Sequence, residues 1–273
     1  LDELSGKFRV TMITGTNGKT TTSRIVAGML HENHTEYITN KSGANLSSGL
    51  SATLIGALNL WGKPKVHHAL LETDEAAFRS IAPKLKPEYI LVTNFFRDQL
   101  DRYGELYTTL NGVREGILGT PSSKLILNAD DSLCASLGNN VPNHVIFYGF
   151  KDCAYPQDKL NTNTDAAFCI VCKNRYSYLS HTFGHLGHFK CEACGYERPN
   201  AQIECTQVTD FDQLSSIIEL SVPDKKLSVK LALPGLYNIY NALAGLAFGY
   251  ELGLSEQSLI KVLEGFECGF GRM

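Results

Sequence analysis

The residues best suited to do chemistry lie in one segment, TGTNGKTTT at positions 14–22, which follows an apolar run. A glycine turn between a strand and a helix presents backbone N–H groups to an anion, and the helix dipole favours negative charge there. In such a loop the lysine reaches the terminal phosphates of a nucleotide and the next hydroxyl binds Mg²⁺. The full phosphate-loop pattern has glycine where Ile13 stands, so a purely structural turn is the alternative. The nucleotide-contacting residues we predict are Thr16, Asn17, Gly18, Lys19, Thr20 and Thr21.

Acidic residues follow the apolar run 66–71 in the order Glu72, Thr73, Asp74, Glu75. A carboxylate at the end of a strand near a phosphate loop holds Mg²⁺ directly or through water. Asp74 and Glu75 fit another role, as acids that cap the next helix. We therefore expect Glu72 and Thr20 to bind magnesium, and Lys19 and Glu72 to be the catalytic residues.

Four of the eight cysteines form two C-x-x-C pairs, Cys169 with Cys172 and Cys191 with Cys194, separated by eighteen residues. This spacing is typical of zinc sites, because each pair presents two thiolates and two pairs complete a tetrahedron. Four thiolates leave no open position on the metal. We therefore expect structural Zn²⁺ that contributes on the order of 10 kcal/mol to local folding.

Histidines between the pairs offer a rival ligand set, in which His181 and His185 join Cys169 and Cys172. The gap from Cys172 to His181 is short for a finger of that kind, and the rival set leaves the second cysteine pair unused. Spacing therefore favours four cysteine ligands over this set and over four unliganded thiols. The histidines, His188 included, are then expected to be solvated loop residues.

Aromatic and basic residues around the cysteines are also compatible with binding to single-stranded nucleic acid. However, 25 basic and 28 acidic residues give a net charge of −3, which provides no overall basic field. We therefore expect no nucleic-acid partner. The aromatic residues are interpreted as a small local core, formed by Tyr176, Tyr178, Phe183, Phe189 and Tyr196.

The location predicted from the sequence is the cytoplasm. No apolar stretch approaches the roughly 20 residues of a membrane-spanning helix. No charged-then-apolar leader follows Leu1, and cysteines in a chain of 273 residues without one indicate a reducing compartment. The abrupt ends, at Leu1 and Met273, lead us to expect a piece of a longer protein.

Short apolar runs alternate with helical patterns over residues 1–150. We predict strands at 8–14, 66–71, 89–93, 124–128 and 144–148, and helices at 19–30, 75–82 and 105–118. Such runs suit strands buried on both faces, and the alternation implies right-handed crossovers. The predicted fold class is α/β, a doubly wound, mostly parallel sheet that binds its ligand at the carboxyl ends of the strands.

Composition changes after residue 150, where Asn, Asp, Cys and His become frequent. We interpret 151–202 as an inserted zinc-ribbon module within a phosphate-loop core that occupies 1–150. Residues 203–273 are predicted to complete the core with a β-hairpin, whose turn is Pro223-Asp224, and two helices.

Taken together, these segments resemble the Mur ligase family, whose members use ATP to join an amino group to a carboxylate. The resemblance covers most of the chain and rests on TGTNGKTTT, Glu72, TNFFRDQLDRYG at 93–104, LNADD at 127–131, PGLYNIYNALAG at 234–245 and GFGRM at 269–273. It implies the ATP-binding middle domain, with the C-terminal ligase domain absent from this chain. It also implies adenine contacts by Asn238 and Asn241, although spacing alone favours a capping role for Asn238, and a nucleotide contact by Arg272.

Within the family, the cysteine module and the TNFFRDQLDRYG segment resemble members that amidate a carboxylate. That resemblance implies phosphorylation by ATP of the D-glutamate α-carboxylate of lipid II, a peptidoglycan precursor, and attack by ammonia from a glutaminase subunit, GatD. The expected cofactors are ATP, Mg²⁺ and structural Zn²⁺. The expected partners are GatD and lipid II at the cytoplasmic face of the membrane.

Other functions remain open from the sequence. One is an amino-acid ligase of the Mur or folylpolyglutamate type, another is a zinc-ribbon ATPase that binds nucleic acid, and a third is a nucleotide-binding scaffold. Gln99 stands where many family members have a histidine that helps bind a second Mg²⁺, and because glutamine is a weaker metal ligand, the sequence does not predict that second ion. Because the reactive acyl phosphate needs a closing domain, the isolated chain is expected to bind nucleotide but turn over poorly.

Overall fold

The computed structural model describes residues 1–41, 43–96, 105–152, 154, 166–211 and 215–266. In chain order the elements are α1 (Asp2–Ser5), β1 (Arg9–Thr14), α2 (Lys19–Glu32), β2 (Tyr37–Thr39), α3 (Ser47–Gly56), β3 (His68–Glu72), α4 (Glu75–Leu85), β4 (Tyr89–Val92), α5 (Glu105–Leu118), β5 (Lys124–Asn128), α6 (Ser132–Ser136), β6 (Val145–Phe150), β7 (Ser177–Phe183), β8 (Leu186–Lys190), β9 (Ile203–Phe211), β10 (Ser216–Val222), β11 (Lys225–Leu231), α7 (Leu236–Glu251) and α8 (Glu256–Glu264).

Among these residues, nine strands form one sheet in the order β11-β10-β9-β6-β5-β4-β1-β3-β2. The strands from β9 to β2 in this order run parallel, whereas β10 and β11 are antiparallel to their neighbours. The chain reverses its direction of winding beside β1, which has β3 on one side and β4 on the other. A crevice opens at such a switch point, at the carboxyl end of the strand. The predicted fold class is therefore confirmed.

The central strands are buried on both faces because a separate hydrophobic core covers each face. Ile13 of β1 and Leu91 of β4 pack in one core with residues of α2, α7 and α8. Met12 and Ile90, their neighbours along the strands, pack in the other core with residues of α4 and α5. Successive side chains of a strand point to opposite faces, so both must be apolar in the middle of such a sheet.

Several elements were not predicted from the sequence. The strand β2 has only three residues, and β9 alternates apolar with polar side chains, with register shifts against β10, so neither forms an apolar run. The hairpin is confirmed, with strands Ser216–Val222 and Lys225–Leu231 and with Asp224 at a φ of +65° in its turn. The hairpin also belongs to the main sheet, because β9 pairs with β6.

The four-cysteine module, which we define as residues 166–202, lies beside this sheet. Its strands β7 and β8 form a separate two-stranded sheet. A small core packs beneath it, formed by Ala135, Cys169, Tyr176, Phe189 and Cys191. The domain boundaries stay predictions. A search of the helices in the described residues found none with the length and hydropathy of a membrane span.

Candidate functional site

The phosphate loop between β1 and α2 depends on two glycines in the left-handed region. Gly15 has a φ of +123° and Gly18 a φ of +83°. A Cβ on Gly15 would collide with Thr93, and one on Gly18 would collide with the side-chain amide of Asn241. The loop therefore packs closely against the end of β4 and against α7, and an L side chain at either position would displace it.

Asn94 clamps the loop from the end of β4. The backbone N–H of Thr16 donates to the Asn94 carbonyl at 2.9 Å, and that of Asn17 donates to Asn94 Oδ1 at 3.0 Å. Asn94 Nδ2 donates back to the Asn17 carbonyl at 3.1 Å, and Thr93 Oγ1 donates to the same oxygen at 2.7 Å. The N–H groups of Thr16 and Asn17 are therefore already hydrogen-bonded within the protein. The helix-terminal N–H groups that suit an anion are those of the first turn of α2.

Lys19, the first residue of α2, folds back over the loop. Its Nζ donates to the Gly15 carbonyl at 2.5 Å and to Glu75 Oε1 at 2.9 Å, and both charged side chains are less than one-fifth exposed. Asp74 caps α4 as expected, since it accepts from the N–H groups of Ala76 and Ala77. Glu75 lies in the first turn as expected, but its ion pair with Lys19 was not predicted.

The two residues predicted to bind magnesium are in direct contact. Thr20 Oγ1 donates to Glu72 Oε2 at 2.9 Å. Asn40 fixes the end of β3, because its Oδ1 accepts from Glu72 N at 2.9 Å and its Nδ2 donates to Glu72 O at 3.0 Å. A hydroxyl and a carboxylate are the oxygen ligands that Mg²⁺ takes beside nucleotide phosphates, so the pair fits that ion.

A cavity of about 420 Å³ opens beside the loop, on the side of α7. Asn241 lines it, and its Oδ1 accepts from Thr22 Oγ1 at 3.3 Å. Asn238 lies behind Asn241, with its Oδ1 accepting from Asn241 Nδ2 at 3.2 Å and its Nδ2 donating to the Pro234 carbonyl at 2.7 Å. Asn238 is not the cap, because Gly235 occupies that position. The structure thus places Asn241 at the cavity and Asn238 in support of it.

The sequence did not identify the apolar wall of this cavity. Besides Asn17, Gly18, Thr21 and Asn241, the lining residues are Asn94, Phe96, Phe183, Leu186, Tyr237 and Tyr240. The two tyrosines flank Asn238 in the PGLYNIYNALAG segment, so their spacing from the asparagines was the available signal. Phe183 was expected in the core of the module, but it is 41% exposed and faces the cavity because it ends β7.

Buried aspartates of the LNADD segment join the surrounding elements. Asp130 accepts from the Phe150 N–H at 2.8 Å, from the Tyr240 hydroxyl at 2.7 Å and from Arg198 Nε at 2.6 Å. Burial, together with the Asp130 charge, raises the pKa of Tyr240 well above its usual value. Asp131 caps α6 and accepts from the Phe95 N–H at 2.6 Å. These two carboxylates therefore position the cavity walls.

The four cysteines converge as predicted. Their Sγ atoms lie within 4.8 Å of one another, and the described residues contain no other such cluster of metal-ligating groups. Two separations are 3.6 Å, for Cys169 to Cys194, and 3.4 Å, for Cys172 to Cys191. Zinc–sulfur bonds of tetrahedral geometry require about 3.8 Å between sulfurs. The donor set therefore fits a closed zinc site.

Each cysteine pair forms the same kind of turn. In the first, the N–H of Lys173 donates to the Cys169 carbonyl, and in the second, that of Gly195 donates to the Cys191 carbonyl. Both donors are left-handed, with φ of +64° and +75°. Hydrogen bonds from Asn174 lower the pKa of Cys172 to about 6, whereas burial and hydrogen bonds to the other three cysteines raise the pKa of Cys194 to about 12. Of these two thiols, Cys172 favours the thiolate that a metal requires.

The expectation that the histidines are solvated was wrong. His185 is buried, 3.5 Å from the Asp131 carboxylate and packed on the Phe96 ring. His188 hydrogen-bonds the Phe150 carbonyl at 2.7 Å, and His181 stacks on Tyr178. They pack against the core because β7 and β8 lie on it. Gln99 and Arg272 lie outside the described residues.

A phosphate loop at the switch point of a doubly wound sheet, with an adjacent hydroxyl–carboxylate pair, is the arrangement typical of nucleotide-binding α/β proteins. The model of the Mur ligase middle domain matches residues 13–190. The chain therefore belongs to the Mur ligase family.

Among curated relatives, the chain is similar to the lipid II isoglutaminyl synthase (glutamine-hydrolyzing) subunit MurT of Streptococcus pneumoniae, with 33% identity over 272 residues. That match covers 100% of this chain and 59% of the relative. The MurT subunit of Staphylococcus aureus is also 33% identical, over 97% of the chain and 57% of the relative. The chain thus spans less than two-thirds of the length of these relatives.

Solved structures of the family have the same fold. A pseudomurein peptide ligase type C from Methanothermus fervidus matches with a TM-score of 0.73 and 25% identity. The match covers 96% of this chain and 50% of that one. MurF from Acinetobacter baumannii matches with a TM-score of 0.67 and 17% identity, and this match shows similarity of fold alone.

Proposed function

We propose that the protein containing this chain amidates lipid II, converting the D-glutamate α-carboxylate to D-isoglutamine with ATP and with ammonia from a glutaminase subunit, GatD. The observation that carries the proposal is the joint presence of the phosphate loop with its Thr20–Glu72 pair and the converged four-cysteine cluster. The similarity to two MurT subunits over nearly the whole chain supports it.

The chemistry is dictated by the properties of a carboxylate, which is a poor electrophile. Transfer of the γ-phosphoryl group of ATP to the carboxylate gives an acyl phosphate and ADP. Attack by ammonia then forms the amide and breaks the bond from carbon to the phosphate oxygen, and the proton that the nitrogen loses leaves on the released inorganic phosphate. Lys19 would exchange Glu75 for phosphate oxygens and stabilise the charge on the transferring phosphoryl group.

The residues present fit both metal ions that the proposal requires. Thr20 and Glu72 would hold Mg²⁺, which supplies further charge stabilisation when bound. Four cysteine thiolates would hold Zn²⁺ with no open coordination position, so its role is structural. Asn241 at the cavity, supported by Asn238, would contact the adenine.

The proposed location is the cytoplasmic face of the membrane, where lipid II presents its stem peptide. No nucleic-acid role is proposed. Four of the five module aromatics pack in or against the small core there, and the fifth, Phe183, faces the cavity.

The test is amidation of lipid II by the full-length protein with ATP and glutamine, with and without GatD, measured by mass spectrometry. Conversion of acid to amide that requires both ATP and GatD would support the proposal. Replacing GatD with ammonium chloride should bypass the partner. No conversion under either condition would contradict it.

An amino-acid ligase is the second candidate. The chain is 26% identical to a UDP-N-acetylmuramate--L-alanine ligase of Xanthomonas campestris, over all of the chain and 45% of that protein. Offering amino acids in place of ammonia separates the two functions. Transfer of an amino acid, with no amide formed from ammonia, would favour the ligase.

A further inference from the structure

The tip of the β7–β8 hairpin reaches the cavity beside the phosphate loop. Phe183 ends β7, Leu186 begins β8, and both line the cavity together with Asn17, Thr21 and Asn241. One wall of the candidate nucleotide site therefore comes from the same module as the four cysteines. The sheet and α7 provide the rest.

Aromatic rings dominate this wall. The Phe183 ring lies 5.9 Å from the Phe96 ring and 6.2 Å from the Tyr237 ring, measured between centroids. Phe183 is 41% exposed and Tyr237 is 48% exposed, so both offer ring surface to the cavity. Exposed rings that border a cavity suit the face of a base, whereas phosphates require the donors of the loop.

Hydrogen bonds anchor the hairpin close to its tip. The N–H of Gly187 donates to the Asp130 carbonyl at 2.9 Å, and Tyr178 donates its hydroxyl to the His185 carbonyl at 3.2 Å. The ladder between β7 and β8 is irregular, with register shifts on either side of His181. The strand pairing alone therefore holds Phe183 weakly.

The base of the hairpin is tied to the cysteine cluster. Lys190 ends β8 and Cys191 follows it directly, while β7 begins at Ser177, shortly after Cys172. The small core under the hairpin includes the ligand residues Cys169 and Cys191 themselves. The free energy of metal binding at such a site contributes directly to the folding of the surrounding segment. We therefore expect the order of the hairpin to depend on the metal.

We infer that the β7–β8 hairpin forms the base-binding wall of the nucleotide site, with Phe183 as its stacking residue, and that zinc at the four cysteines sets the affinity for the base. This inference rests on the proposed binding of ATP. It gives the module a part in substrate binding as well as in stability.

Isothermal titration of the full-length protein, with Mg²⁺ present, compares ATP with inorganic tripolyphosphate, which lacks the base. Phe183→Ala should weaken ATP binding about tenfold, the loss expected from one stacked base, and leave tripolyphosphate binding unchanged. The matched control is Leu179→Ala, because Leu179 is 75% exposed on the same strand and does not line the cavity. It should change the affinity for neither ligand.

Removing zinc with a chelator selective for Zn²⁺ over Mg²⁺ should weaken ATP binding by a similar factor, with tripolyphosphate binding and the helical circular dichroism retained. Adding Zn²⁺ back should restore the affinity. Unchanged ATP affinity in either experiment would overturn the inference, as would loss of both ligands together with the helical signal. If the wild-type protein binds ATP no more tightly than tripolyphosphate, the base site is absent; if it binds neither, the proposed function fails.

Discussion

The phosphate loop and the four-cysteine module differ in what holds their functional atoms in place. The loop follows β1, an interior strand of the nine-stranded sheet, where Asn94 after β4 hydrogen-bonds it and Asn241 on α7 packs against Gly18. The module has a two-stranded sheet and a small core that includes two of its four clustered cysteines. The fold positions the first site, whereas we expect a metal to position the second.

Because different interactions hold them, we expect the two regions to respond differently to the loss of one interaction. Hydrogen bonds around the loop are numerous, and each contributes a modest amount to stability. Metal coordination is cooperative, and its free energy is the folding free energy of the module. We therefore expect graded effects in the loop region and an all-or-none effect in the module.

The largest effect is expected at the cysteines. Cys191→Ser should abolish zinc binding and remove on the order of 10 kcal/mol of local folding free energy. Elemental analysis should show loss of zinc, and amide hydrogen exchange should show loss of protection in β7 and β8. The control Cys205→Ser changes a buried thiol of β9 and should retain the metal. Full zinc content in Cys191→Ser would contradict an all-or-none module.

Lys19→Ala should weaken ATP binding by about tenfold to a hundredfold, because it removes a charged donor from the triphosphate. Tripolyphosphate should lose affinity by the same factor, since the effect concerns phosphate. The melting temperature should change little, and titration calorimetry measures the binding. Lys63→Ala, at an exposed lysine, should have no effect. Equal ATP affinity for Lys19→Ala and wild type would show that the loop does not bind phosphates.

Glu72→Gln should raise the Mg²⁺ concentration needed for half-maximal ATP binding by about tenfold. The amide loses the charge that attracts the ion, while Asn40 still holds the backbone of residue 72. A titration of Mg²⁺ at fixed ATP measures the shift. Glu36→Gln, at an exposed acid, should leave the midpoint in place. An unchanged midpoint for Glu72→Gln would move the ion to other ligands.

The loop region could be predicted well because its function requires particular residues at fixed spacing. The sequence shows turn glycines, a lysine, hydroxyl residues and an acid at the end of a predicted strand, and the glycines do have positive φ in the structure. The cysteine pairs are visible for the same reason. The ion pair of Lys19 with Glu75 was not visible, because it joins residues fifty-six positions apart and depends on how α4 meets the loop.

The apolar wall could not be predicted because tertiary packing decides which aromatic residue is buried. Phe183 and Phe189 are both phenylalanines of the module, and the sequence predicted both to lie in its core. Phe189 does lie in that core, whereas Phe183 lines the cavity. The prediction that the histidines are solvated was wrong for a similar reason. Only the docking of the hairpin on Asp130 and Phe150 buries His185 and gives His188 its partner.

A smaller effect, of opposite sign, is expected at Glu75. Glu75→Gln should tighten ATP binding about fivefold, because Lys19 no longer has to leave an ion partner of modest strength. Titration calorimetry at low and high salt checks the cause, since screening should reduce the gain. Glu115→Gln is a suitable control, because its ion pair with Arg79 is exposed and does not involve Lys19. Weaker ATP binding in Glu75→Gln would show that Glu75 helps the nucleotide to bind.

The smallest effect is expected at Asp74, the cap of α4. Asp74→Ala removes the cap of α4 beside the loop, and loss of such a cap costs about 1 kcal/mol. The melting temperature should fall slightly, with Ser80→Ala on the same helix as a control, while ATP affinity stays near that of the wild type. Asn94 and Asn241 still contact the loop, and the cap of α4 is not one of the loop's own contacts. If Asp74→Ala instead abolished nucleotide binding, the loop region would be as cooperative as the metal module, and the contrast between a site held by the fold and a site held by its metal would be wrong.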